Sequence, residues 1–267
     1  MTPQYKYYKS AKKEIESINE HKEKYVIIWY AIGNVGNANR IISIVVQNLG
    51  GEPHSFSIDD EMKLVKNKFV ATTENFDSCE KKLLKRFYDF AQKQCNDKIW
   101  LHWRMKLANY SFSALENRYI VLGGTNPFTI SDRNKIDICE TFKKRYGENF
   151  VDKSKHNQSS WRITYLAQLN NIETAGFLEY TDEIGMLNNS QYDVILTSLS
   201  RKISIVTQML DLSYKNKLKT DSKWTEIYGI SAQGIYEAIK EQWWYAIIVL
   251  ILGAVIGAIL TKYFPEK

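Results

Sequence analysis

The chain of 267 residues is 25% charged and 44% hydrophobic, an ordinary globular composition that excludes disorder throughout and allows one large domain or two small ones. Lys and Arg number 36 against 30 Asp and Glu, a net charge of +6, too mild an excess for a nucleic-acid-binding tail. Cys79, Cys95 and Cys139 are odd in number, widely spaced and without a Cys-x-x-Cys pair, which argues against a disulfide framework or a zinc knuckle and fits a reducing compartment.

Met1 to Lys13 is polar and basic, and no long apolar core follows before Tyr25, so a cleavable secretory signal is not expected and the bulk of the chain is expected in the cytoplasm. With only 4 prolines and 13 glycines, and apolar residues recurring at three and four, the pattern predicts a mainly α, multi-helix domain over 1–214. Residues 5–24 are charged and helix-prone, and a stripe through Ile15, Ile18, Lys22, Tyr25 and Trp29, continued through Ile32, Gly36, Asn39, Ile42, Val46 and Leu49, reads as one long amphipathic helix broken at Gly33–Asn37. The rival reading makes Tyr25–Ile32 a buried strand, Gly33–Gly36 a turn and Asn39–Leu49 a helix. Neither a G-x-G-x-x-G fingerprint nor a G-K-[ST] loop accompanies it, so no nucleotide cradle is predicted.

Beyond Gly50–Pro53, helix caps at Ser57–Asp60 precede a run to Cys95 with Met62, Val65, Phe69, Phe76, Leu83, Phe87 and Phe90 at helical intervals. The aromatic segment 99–124 ends on Gly123-Gly124, a C-cap signal. Further helices are expected from near Ser131 or Asp132 to Gly147, over Ser159–Asn170, and over Ser190–Tyr214 with Tyr192, Ile195, Leu199, Ile203, Val206 and Leu210 on one face. Residues 215–242 read as linker and juxtamembrane helix.

Chemistry-bearing signals are sparse. His21, His54, His102 and His156 are scattered and none sits in H-E-x-x-H, so no metal site and no cofactor is expected. Glu80-Lys81-Lys82 and Asp221-Ser222-Lys223 have the acid–lysine spacing of a Mg²⁺-dependent nuclease, but in a helical and a linker context respectively. G-x-S-x-G is absent, and no catalytic residue is assigned. Trp100, His102, Trp103 and Arg104 group two indoles, an imidazole and a guanidinium that suit stacking on a ligand or headgroup. Ile99, Trp103, Tyr110 and Ala114, however, fall near one helical face, which favours core packing for the indoles. Arg201 and Lys202 join Lys81, Lys82, Lys85, Arg86 and Lys143–Arg145 as basic residues suited to anionic lipid if they converge.

From Trp243 to Thr261 the sequence WWYAIIVLILGAVIGAILT carries no charge, and as a helix it covers roughly 28 Å, close to a hydrocarbon core of about 30 Å. Trp243, Trp244 and Tyr245 on one side, and Lys262 and Tyr263 on the other, match an aromatic belt with a charged anchor. A transmembrane helix over 243–261 with a short tail 262–267 is therefore expected: a single-pass tail anchor in the inner membrane, with the N-terminal domain cytoplasmic. Gly253 and Gly257, with Ala254 and Ala258, repeat small residues four apart, the spacing that lets membrane helices approach closely, so a homo-oligomer in contact with membrane lipids is expected.

The runs W-L-H-W-R-M (100–105), A-L-E-N-R-Y (114–119), V-L-G-G (121–124), R-Y-G (145–147), S-L-S-R-K-I (198–203) and L-K-T (218–220) give residues 97–220 a resemblance to an uncharacterised prokaryotic helical domain of defence-island membrane effectors, of the type associated with short Argonautes. No catalytic motif comes with that likeness. It implies an antiviral, abortive-infection role in which a protein partner of a defence system triggers oligomerisation and membrane disruption, with nucleic acid involved only indirectly. The alternatives are a membrane-tethered, nuclease-like enzyme and a non-catalytic membrane adaptor.

Overall fold

The computed structural model describes residues 3–35, 38–65, 72–152, 162–240 and 243–263. Helix α1 (Pro3–Glu20) buries Tyr5, Tyr8, Ala11, Ile15 and Ile18, a stripe at helical spacing. The continuous apolar run that follows is not helical. Strand β1 (Tyr25–Val35) pairs antiparallel with β2 (Ala38–Asn48), and β2 pairs antiparallel with β3 (Pro53–Ser57). Tyr25 to Ala31 are buried one after another, as are Ile41 to Val46, so both faces of these strands are covered. A strand covered on both faces shows no alternation, and the β-branched run Ile41, Ile42, Ile44, Val45, Val46 stabilises it.

Helices α2 (Ile58–Val65) and α3 (Thr73–Gln94) lead to β4 (Ile99–His102), which pairs parallel to β1. A short hairpin, β5 (Lys106–Leu107) and β6 (Tyr110–Ser111), precedes α4 (Phe112–Val121). Then β7 (Lys135–Asp137) pairs parallel to β4 and feeds α5 (Ile138–Tyr146). The main sheet therefore has five strands in the order β3-β2-β1-β4-β7, an antiparallel meander extended by two parallel strands. Helices α6 (Arg162–Leu169), α7 (Tyr180–Asn188) and α8 (Tyr192–Tyr214) follow, with α8 packed along β1, β2 and β3 and α3 along β2 and β3. Helix α9 (Trp224–Tyr228) rests on α1 and α5, and α10 (Ala232–Lys240) and α11 (Trp243–Tyr263) complete the order.

Two expectations are corrected here. The domain is a mixed α/β fold rather than mainly α, because residues 25–48, 99–102 and 135–137 are strands. The expected transmembrane helix over 243–261 is not supported either: among the described residues no helix is long and apolar enough to cross a membrane. The apolar run does form α11, whose described side chains end at Ile256. In it Ile247 to Leu252 are exposed, Leu250 to 73%, and Trp244 is exposed to 36%. Tyr245 meets Tyr236 of α10 edge-on at 6.4 Å. Gly253 has nothing within 4 Å of where a Cβ would stand, and Ala254 is exposed. The side chains of Trp243, Gly257, Ala258, Lys262 and Tyr263 lie outside the described residues.

The sheet is pinned to α3 and α4 by an ionic cluster. Arg40, fully buried on β2, donates to Asp77, to Glu80 at 3.2 Å and to the Val35 carbonyl at 2.8 Å. Glu80, equally buried, also accepts from the Ile41 amide at 2.8 Å and from Arg118 at 2.8 and 2.6 Å. Two guanidiniums facing two carboxylates satisfy charges that would be prohibitively costly to bury alone.

Candidate functional site

In sheets with parallel strands, ligands collect at the carboxyl ends, where the chain turns out to enter helices and leaves side chains and helix N-termini unpaired. Here a polar cavity of about 410 Å³ opens at the carboxyl ends of β4 and β7. Its functional groups come from five elements: His102 from β4, Lys106 from the hairpin, Lys135 and Asp137 from β7, Glu140 and Thr141 from α5, and Glu14 from α1.

The turn after β4 is strained in a way that builds the site. Arg104 sits at φ 54, a left-handed conformation uncommon for a residue with a side chain. That turn sends its own amide to Asp137 Oδ1 at 3.2 Å and the Met105 amide to His102 Nδ1 at 3.3 Å. Asp137 Oδ1 also caps α5 by accepting from the Cys139 amide at 3.0 Å. Its other oxygen, Oδ2, lies 3.2 Å from Lys106 Nζ, an ion-pair distance without hydrogen-bond alignment, and it makes no hydrogen bond among the described residues. Thr141 Oγ1 donates to Glu14 Oε2 at 2.5 Å, and Lys135 pairs with Asp132 at 2.9 Å.

His102 is 5% exposed, with its ring edge-on to Phe112 at 5.5 Å. Burial depresses its pKa to about 4, aided by Lys106 and Lys135 and opposed by Asp137. The imidazole is therefore neutral at physiological pH. Because Nδ1 accepts from Met105, the proton sits on Nε2, which has no hydrogen-bond partner among the described residues. The cavity thus presents a neutral N–H donor, the Asp137 carboxylate and nearby ammonium groups. That set can bind a small polar molecule rich in acceptors, and it can polarise a carbonyl by hydrogen bonding without a charged acid.

Of the residues that the sequence suggested for ligand or lipid contact, His102 and Lys144 line this cavity and Lys202 lines a second one. Trp100 and Trp103 are core, at 1% and 3% exposure, so they present no face to a ligand. Arg104 contributes its backbone, and Arg201 lies 3.9 Å from Glu173. Of the basic clusters, Arg145 and Lys202 are buried and so belong to no solvent-facing patch. The Glu80 carboxylate is taken up by Arg40 and Arg118, and Asp221 accepts from the Asp152 amide at 3.0 Å and Tyr165 at 3.2 Å. Among the described residues no group of three or more His, Cys, Asp or Glu is placed to hold a metal ion. The cysteines are buried and free. Sequence reading missed Asp137, Lys106 and Glu14. The pointer to Asp137 was its place as an N-cap directly after the apolar Ile136. Compared with known proteins, the chain matches no family model, no curated protein and no solved structure.

Proposed function

We propose that the protein is a ligand-responsive, membrane-associated effector or sensor, acting in prokaryotic antiviral defence at the inner membrane. In this reading the polar cavity receives the signal, a partner promotes self-association of copies, and α11 acts on lipid. The observation that carries it is a short structural path from the cavity to the apolar helix. The cavity walls α1 and α5 are the two helices on which α9 rests. Tyr8 of α1 packs on Tyr228 of α9 with ring centres 4.9 Å apart, and Gln4 donates to the Ile227 carbonyl at 3.3 Å. Beyond α5, Asn149 donates to Glu226 at 2.9 Å. Helices α10 and α11 follow α9 in the chain, and α10 packs against both α9 and α11. The exposed apolar side chains of α11 form too continuous a surface to remain in water, which supports lipid as its surroundings.

A ligand shifts such a system only by the difference in its affinity for the two arrangements of α1 and α5. The test is flotation of the full chain with vesicles of phosphatidylethanolamine and phosphatidylglycerol. The protein is expected to rise with the vesicles, and Ile248→Lys with Leu252→Lys to stay behind. A chain that remains unfloated overturns the reading. Self-association is checked by crosslinking in vesicles, where Gly253→Ile is expected to deplete the oligomer. A membrane-attached enzyme is the second reading, favoured by the neutral imidazole beside a carboxylate. Turnover abolished by His102→Asn would select it.

A further inference from the structure

On the other side of the β5–β6 hairpin lies a second, larger cavity of about 810 Å³, within the range of volumes that enclose small-molecule ligands. It runs along the carboxyl half of β1 and is closed by α4, α7 and α8. One wall is aromatic. Tyr30 and Tyr110 stack with ring centres 4.4 Å apart and planes 25° from parallel, and the Tyr30 hydroxyl is committed to the Ser111 carbonyl at 3.1 Å. Tyr30, 1% exposed, backs the wall, and the half-buried Tyr110 is the ring that faces the cavity. Burial holds both phenols above their ordinary pKa, which keeps them uncharged.

A different wall is an ion pair, Lys202 on α8 with Glu183 on α7, whose side chains are 4% and 11% exposed. Glu183 Oε1 accepts from Lys202 and, at 3.4 Å, from Ser198, while Oε2 accepts no hydrogen bond among the described residues. The Lys202 ammonium carries three N–H groups. One meets Glu183, and the ring of Phe177 lies 5.1 Å from Nζ, which leaves donor capacity toward the cavity. The cavity thus combines a flat aromatic wall with an adjacent donor and acceptor held in fixed positions. That combination complements a flat ring with an acceptor and a donor side by side on one edge, as in a lactam or amidine.

We infer that this cavity binds a nucleobase-type heteroaromatic ring, its face against Tyr110 and its hydrogen-bonding edge against Lys202 and Glu183. An alkyl chain would leave the edge pair unmatched, and such a buried pair gains from a partner that satisfies both groups. The inference does not depend on membrane attachment or on the His102 cavity.

The test uses the full chain in lipid nanodiscs, with empty nanodiscs as the blank and guanosine, adenosine, cytidine and uridine as probes, read by saturation-transfer NMR and calorimetry. At least one nucleoside is expected to bind. Val121 is 74% exposed at the rim, so Val121→Trp is expected to block the mouth without disturbing the fold and to weaken binding by ~10-fold or more. Lys202→Met is expected to weaken the same nucleoside, and His102→Asn to leave it unchanged. Absence of binding by all four nucleosides, or binding indifferent to Val121→Trp, overturns the inference.

Discussion

His102 makes a pH-dependent contribution to stability whose sign and size follow from its surroundings. Its imidazole titrates near 4 in the folded chain against an ordinary 6.5, chiefly because it is buried. Between those values the unfolded chain binds a proton that the folded chain does not, so acid favours unfolding. The contribution is complete above pH 6.5 and is lost as pH falls toward 4. At about pH 5 the loss is ~2 kcal/mol, from 1.5 units at about 1.36 kcal/mol each, and it approaches ~3 kcal/mol near pH 4. Carboxylates elsewhere also titrate in this range, so the measurement is a difference between two chains. Urea unfolding of the full chain in a mild detergent is compared at about pH 7.5 and about pH 5 for the native sequence and for His102→Asn. The native chain is expected to lose ~2 kcal/mol more than the variant over that interval. Equal losses would refute the argument, as would an NMR titration of the His102 ring centred near its ordinary value.

Lys106 is one of the charges that lower the His102 pKa, and at 59% side-chain exposure its removal leaves the fold intact, so Lys106→Met is expected to move the His102 midpoint upward in the same NMR titration. Glu80→Ala removes the fully buried carboxylate that Arg40 and Arg118 share, at a cost of about 3–5 kcal/mol, or a Tm lower by about 6–20 °C for a chain of this size by thermal unfolding. Gly147 ends α5 at φ 93 and faces the Glu226 backbone oxygen of α9, which would stand 3.1 Å from an added Cβ. Gly147→Ala is therefore expected to destabilise the chain by about 1–3 kcal/mol and to speed proteolysis at α9.

Helix α8 was legible because its apolar residues Ile195, Leu199, Ile203, Val206 and Leu210 face the sheet from one side while its other face stays polar. The strands were not, for the same physical reason seen twice. An uninterrupted apolar run such as Tyr25–Ala31 satisfies a helical stripe as readily as a strand covered on both faces, because every spacing is apolar. The informative signal was composition, the β-branched residues of β2. Strands β4 and β7 span only Ile99–His102 and Lys135–Asp137, too short to display any period. The site suffered most from this. His102 stood out in the sequence within an aromatic cluster, whereas its partner Asp137 reaches it only through the parallel pairing of β4 and β7, a contact between distant residues that no local spacing encodes. The apolar C-terminal run was visible at once, yet its described part does not make a membrane-crossing helix.

If the domain communicates with α11, the signal passes where α9 turns into α10, and Gly234 controls that turn. An added Cβ there would lie 2.3 Å from the Tyr228 carbonyl oxygen and 2.8 Å from that of Gly229. Both obstacles are backbone, so no side-chain rotation relieves them. In Gly234→Ala either α10 swings away from α9 or α9 lifts from Tyr8 and Gln4 of α1. Neither route touches the His102 cavity or the apolar surface of α11. The variant is therefore expected to float with vesicles like the native chain and to retain the His102 titration, while amides of α9 and α10 exchange faster with deuterium. Unchanged exchange in both helices would mean that the turn is not a rigid joint, and a path from cavity to membrane through α9 would lose its mechanical basis.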